Sequence, residues 1–259
     1  MSVSKSDVFL PLTGPQTFIG DLHGWKDRLD ALLPHITTPM VFLGDLIDRG
    51  PDSKGVVSTV MELCKSGKAQ CIAGNHEFAL VKALGHPSQG MHLNQDFFEC
   101  WWQVYGGNAT AHSYGIMQPN AKKLREAMGP HLDWIAGLPL FLQGSDGEAS
   151  WLAVHSILDE RPLEEQRQEL SRPWGKLPER PDPLYARGSF LIRPCDLDPK
   201  CCLVSGHTPT QEALVSPTRI SCDTTGGREH RRLVAVEWPA LRCIDPAVVA
   251  VKKELKKRK

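Results

Sequence analysis

Three times before residue 80 the chain follows one course: a short apolar stretch, a break at glycine plus a polar residue, then apolar residues at helical spacing. Residues 17–19 run into GDLHG, after which Trp25, Leu29, Leu32, Leu33 and Ile36 share one helical face. Residues 40–43 run into GDLIDRGPD, and Ser53 opens a helix with Val56, Val57, Val60, Met61 and Cys64 on its apolar side, capped by Asp52 or Ser53 and ended at Gly67. Residues 70–73 run into GNHE. This repetition is what a parallel sheet built from βαβ units requires, and in such sheets ligands bind beyond the carboxyl ends of the strands, where the three loops lie. An α/β fold with its chemistry on one sheet edge is therefore predicted.

From about 85 to 143 the pattern turns helical and aromatic, reading as an insertion that can cap the site, with Phe97, Trp101 and Tyr105 as the packed face of a helix ahead of direct substrate contact. Strand character returns at WLAV, CCLV, RISC and LVAVEW; the proline-rich stretch between His155 and Cys201, with one helical run at LEEQRQEL, reads as surface loops. With 259 residues, 41% of them hydrophobic, residues 1–251 suffice for one domain with its own core, followed by a basic tail at 252–259. That tail holds six of the 30 basic groups and one of the 30 acids, leaving a body of 24 against 29, so no field draws the protein to nucleic acid or to a membrane. Eight cysteines without a C-x-x-C pair, no signal-like N-terminus and no run of roughly 18 apolar residues point to free thiols in the cytoplasm. Nothing in the pattern sets an oligomeric state.

Asp21 and His23 stand two apart where an extended strand leaves the sheet, so their side chains can share one ion. Asp45 holds the equivalent place one unit later, Asn75 and His76 the third, and His155 and His207 follow the WLAV and CCLV strands. Polar groups at so many strand tips do nothing for a core; lacking thiolates, they suit manganese first, with iron or zinc as alternatives. Two divalent ions fit the count, one on Asp21, His23 and Asp45, the other on Asp45, Asn75, His155 and His207, with Asp45 bridging and a net charge near plus two. Ions about 3.5–4 Å apart can activate a shared water and clamp the attacking and leaving oxygens of an in-line displacement, which suits a phosphate ester. Arg49 can grip phosphoryl oxygens as a fork, Asn75 can add a contact, and His76 can protonate a departing alkoxide if Asp48 orients it and keeps it charged.

GDLHG, GDLIDRG, GNHE and GHTPT, in this order, resemble the signature of the PPP-type, calcineurin-like metallophosphoesterases, the serine/threonine protein phosphatases and their bacterial, phage and dinucleoside-tetraphosphatase relatives. The resemblance runs from about 16 to 238 through GGNATAHSYG, GLPL, LEEQ and YARGSF. It implies a four-layer α/β/β/α sandwich, a dinuclear metal centre and phosphomonoester hydrolysis without a covalent intermediate. It also implies metal ligation by Asp21, His23, Asp45, Asn75, His155 and His207, acid catalysis by His76 with Asp48, and phosphate binding by Arg49 and a second arginine. Arg187 is that second arginine by its spacing to Phe190, with Arg193 as competitor. Ser156 and Ile157 stand where the family has small residues, and DTTGG replaces its Asp-Thr-Gly run, so the cleft is expected to differ in shape. A phosphoprotein phosphatase is the first expectation, a dinucleoside polyphosphate hydrolase the second, and a phosphate-binding module without turnover the third, weakened by the presence of both His76 and Asp48.

Overall fold

A computed structural model describes residues 12–188 and 192–247; the basic tail lies outside them. In chain order the strands are β1 (Leu12–Thr13), β2 (Gln16–Ile19), β3 (Met40–Phe42), β4 (Ala69–Cys71), β5 (Phe141–Ser145), β6 (Ser150–Val154), β7 (Cys202–Ser205), β8 (Leu214–Ser216), β9 (Arg219–Ser221), β10 (Ala235–Trp238) and β11 (Arg242–Ile244). The helices are α1 (Lys26–Leu32), α2 (Ser53–Lys65), α3 (Asn75–Leu84), α4 (Gln95–Cys100), α5 (Gly107–Ser113), α6 (Ala121–Met128), α7 (Pro130–Ala136), α8 (Leu163–Leu170) and α9 (Asp182–Tyr185). Two sheets form, ordered β11-β10-β2-β3-β4 and β1-β5-β6-β7-β9-β8.

Strand periodicity sorts the side chains into layers. Phe18, Val41 and Ile72 from one sheet meet Trp151, Ala153, Val204 and Ile220 from the other, with Phe18 edge-on to Trp151 at 5.1 Å. The alternate residues Ile19, Met40 and Phe42 belong to a second cluster with Leu29, Leu32, Val56, Val60 and Phe78 of the helices. Burying both faces explains why the central strand β3 reads as a continuous apolar run, each fully buried large side chain contributing about 1.5–3 kcal/mol. The result is a mixed α/β sandwich of two sheets flanked by helices, as the motifs implied.

Register puts the loops together. β2, β3 and β4 pair in parallel with Ile19 beside Phe42 and Phe42 beside Cys71, so GDLHG, GDLIDRG and GNHE leave one edge side by side. In the other sheet β6 and β7 are parallel, Ala153 beside Val204, which brings His155 and the 206–207 turn out together. Asp52 caps α2 by accepting from the Gly55 N–H at 2.8 Å, which decides between the two capping candidates.

Two expectations need correction. Residues 156–200 are not merely surface loops: α8, α9 and a 3₁₀ turn at Trp174–Lys176 bury Leu163, Gln166, Leu170, Trp174 and Leu184 as an outer layer. In the aromatic run the chain widens after α4 into a π-turn at Trp101–Tyr105, which rotates the buried face to Phe98 and Trp101 and leaves Phe97 and Tyr105 half-exposed. Among the described residues no helix is long and apolar enough to cross a membrane. All eight cysteines are free thiols, four of them buried, three exposed and Cys64 between.

Candidate dinuclear metal centre

The strand-tip residues converge. Asp21, His23, Asp45, Asn75, His76, His155 and His207 are all buried, and metal-binding atoms lie within 4.8 Å of one another in two groups, His23, Asp45 and His76 in one and Asp45, His155 and His207 in the other. Asp45 is common to both: its Oδ1 is 3.4 Å from His155 Nε2, and its Oδ2 is 3.5 Å from His23 Nε2 and 3.8 Å from His76 Nε2. Asn75 Oδ1 joins the second group at 3.0 Å from His155 Nε2 and 2.9 Å from His207 Nδ1. Asp21 Oδ2 stands 3.8 Å from His23 Nε2. The geometry thus gives His76 a place in the first group, where the sequence reading had set it beside the ions without ligating.

Three of the imidazoles are turned by backbone carbonyls. His23 Nδ1 donates to Ile47 O at 3.0 Å, His155 Nδ1 to Leu43 O at 2.7 Å and His207 Nε2 to Tyr185 O at 3.3 Å. A carbonyl only accepts, so the proton sits on that nitrogen and the other faces the cluster, the arrangement of a ligating histidine. His207 Nδ1 then meets Asn75 Oδ1 lone pair to lone pair, a contact a cation between them would relieve. The donor set therefore fits two divalent cations: nitrogen and oxygen only, buried, with one carboxylate shared between the groups.

Asp45 is held well below the usual carboxylate range, because His155, His76 and His23 together outweigh its burial. His155 is raised to about 10 against the effect of burial by Asp45 and Asp21. Burial and the neighbouring His155 lower His207 to about 3. Glu77 and Asp48 are raised, both mainly by burial. With Asp48, Glu77 and Asp223 also buried around the cluster, the neighbourhood carries more acid than the two ligand carboxylates counted from sequence.

Asp48 Oδ2 is 2.7 Å from His76 Nδ1, so it orients the ring as expected. Burial pushes His76 down to about 4, Asp45 opposing and Arg49 and His155 assisting, and Nε2 accepts from Arg49 Nη2 at 3.0 Å. Arg49 Nη1 also reaches His23 Nε2 at 3.0 Å and the Gly226 carbonyl at 3.1 Å. On the opposite side Arg187 is exposed and its charge is felt by His207, whereas Arg193 is tied to the carbonyls of Thr218, Asp198 and Cys201. Phe190 lies outside the described residues.

Close approach and strain shape this edge. A Cβ on Gly74 would stand 2.2 Å from Asp45 Oδ1, so only glycine lets that carboxylate accept the His76 N–H at 3.0 Å. Of the six non-glycine residues with left-handed backbone among those described, five are His23, Asp45, Asp48, Arg49 and His207.

Sequence reasoning missed several supports. Glu77 accepts the N–H groups of Asp45, Leu46 and Gly74 at 2.8–2.9 Å, and its place inside GNHE was the available signal. Glu77→Ala leaves three buried donors stranded at about 1–3 kcal/mol each, so a loss of about 3 kcal/mol or more is expected in urea unfolding. Thr110, inside GGNATAHSYG, donates to Asp48 Oδ1 at 2.6 Å; Trp101 Nε1 donates to Asp48 Oδ2 at 3.0 Å; Tyr105 stands edge-on to His76 at 5.4 Å. The insertion therefore reaches the site, as the cap reading of this region allowed, through Trp101, Thr110 and Tyr105. Trp101→Phe keeps the ring and removes a donor to Asp48, so kcat for an alkyl phosphomonoester, the substrate that draws on His76, should fall about 10-fold with metal binding unchanged; a metal titration beside the kinetics checks this.

A two-sheet sandwich with such a cluster at its loop edge defines a metallophosphoesterase-type hydrolase with a candidate dimetal active site. A profile described as calcineurin-like phosphoesterase matches residues 15–233, and the chain belongs to that family. It is 42% identical over 69 residues to a symmetrical bis(5'-nucleosyl)-tetraphosphatase of Ralstonia nicotianae, across 26% of this chain and 24% of that protein. The first curated relatives are matched over only about a quarter of their own length. Among solved structures, a provisionally assigned diadenosine tetraphosphatase superposes with a TM-score of 0.57 at 21% identity, covering 92% of this chain and 95% of that one. A cold-active protein-tyrosine phosphatase of a psychrophilic Shewanella gives 0.58 at 16%, covering 93% and 81%. Likeness at such identity shows the fold alone.

Proposed function

We propose that this chain hydrolyses dinucleoside polyphosphates, cutting a phosphoanhydride bond with the aid of two divalent cations, manganese first and iron or zinc as alternatives. The observation that carries the reading is the 42% identity of one segment to a bis(5'-nucleosyl)-tetraphosphatase. Phosphoprotein hydrolysis, first from the motifs, has no comparable segment behind it among the relatives described above. One ion would be held by Asp21, His23 and Asp45, the other by Asp45, Asn75, His155 and His207; when bound they supply Lewis acidity at phosphorus and a lowered water pKa. Arg49 on the His23 side and Arg187 on the His207 side flank the centre with positive charge, which suits a chain of several phosphates lying across it. Asn75 adds an amide contact to the phosphoryl group.

His76 is oriented by Asp48 at Nδ1 and meets Arg49 Nη2 at Nε2, and burial favours its neutral form, so a proton for the leaving group is held less readily here. A nucleoside-phosphate leaving group needs none, unlike an alkoxide. The free thiols fit a reducing compartment such as the cytoplasm. Purified protein with manganese should convert diadenosine tetraphosphate to ADP, or to ATP plus AMP, as read by chromatography, and release phosphate from phosphopeptides far more slowly. The reverse preference returns the protein to the phosphatase reading; metal binding without turnover of either substrate makes it a phosphate-binding module.

A further inference from the structure

Asp223 takes no part in the site as built so far. It emerges from β9 on the same edge as His207, because β7 and β9 pair in parallel with Ser205 beside Ser221. Its side chain is wholly buried. Oδ1 accepts the Gly226 N–H at 2.7 Å, while Oδ2 has no hydrogen-bond partner. The carboxyl lies against that of Asp21, with Asp45 and His155 the other charged groups that act on it.

This juxtaposition is built in. A Cβ on Gly20 would stand 2.3 Å from the Cys222 carbonyl, so the chain just before Asp21 packs directly on the chain just before Asp223. Thr225 Oγ1 then donates to the Asp21 carbonyl at 2.8 Å, fixing the two segments together. Two buried carboxyl groups face each other, a contact that costs free energy unless a shared proton or a positive charge compensates it.

We infer that Asp223 is a further residue of the metal centre, a positioning carboxylate that serves the divalent ion at the Asp21–His23–Asp45 position from behind Asp21. The inference rests on the reading of those three residues as metal-holding. It accounts for the DTTGG segment: Asp223 supplies the charge, and the turn at Gly226 holds its Oδ1.

The test is manganese binding to the full chain, stripped with chelator and titrated by competition with a metal indicator, alongside thermal melting. Asp223→Asn keeps an oxygen for the Gly226 N–H and loses the charge. The expected result is that one of two manganese equivalents weakens about 10- to 100-fold and the other is unchanged. The stripped variant should melt no lower than the stripped wild type, yet gain less from added manganese. A merely structural role gives the opposite pair, a lower melting point when stripped and an undiminished gain. Unchanged affinity for both equivalents overturns the inference and leaves the dinuclear reading standing; wild-type protein that binds no manganese removes both. If the variant does not fold, anomalous scattering from manganese-loaded wild-type crystals decides: Oδ2 bound to an ion directly or through one water supports the assignment, and Oδ2 remote from both ions overturns it.

Discussion

Asp45→Asn is expected to lower kcat/KM for diadenosine tetraphosphate by at least about 10³-fold, because one carboxylate lies in both donor groups and serves both positions of developing charge. Its Oδ1 faces His155 and its Oδ2 faces His23 and His76. Asparagine keeps the size and still offers an oxygen to the His76 N–H, so the fold should persist while the shared charge is lost. Manganese stoichiometry should fall from two, and the rate should approach that of chelator-treated wild type. Two manganese ions bound and a tenth of the activity retained would show that Asp45 does not bridge.

His76→Asn is expected to separate substrates by their leaving groups. For an alkyl phosphomonoester, whose alkoxide must be protonated as it departs, removing the imidazole should cost about 10²–10⁴ in kcat. For diadenosine tetraphosphate the leaving group departs as an anion, and the loss should be about 10-fold or less, from the disturbed Arg49 and Asp48 contacts alone. The ratio of the two effects, measured on one preparation with manganese saturating, reads out the role of His76. Equal losses on both substrates would mean that His76 acts mainly through ion binding, as its proximity to His23 and Asp45 allows.

Much of this was legible in the chain because strand tips announce themselves: GDLHG, GDLIDRG and GNHE interrupt apolar runs that a core alone would not interrupt. Parallel pairing then carries the strand ends to one edge, and convergence follows from the register. Supports contributed from far along the chain were not legible. Trp101 reaches Asp48 only because the helix widens into a π-turn, a backbone choice that the FFECWWQVY pattern, with its regular i, i+4 aromatic spacing, does not reveal. The DTTGG run by itself gives Asp223 only a turn near the site, since its partner, Asp21, lies some two hundred residues earlier and meets it through the packing of Gly20 on Cys222. The packed layer at 156–200 was hidden because its apolar residues are spread among prolines and charges, and burial there is decided by the sheet beneath. The protonation of His76 depends on burial and on Arg49, neither of which motif order specifies.

Backbone geometry at the loop edge has an evolutionary reading. His23, Asp45, Asp48, Arg49 and His207 all sit where a side chain is least welcome, at φ values of 45° to 72°. Conformations of this kind cost of order 1–3 kcal/mol each, and glycine would hold most of them without complaint. A lineage under pressure only to endure heat would drift toward glycine there and lose its chemistry before its fold. That these side chains stand in such places puts the strain of the backbone where the chemistry is done.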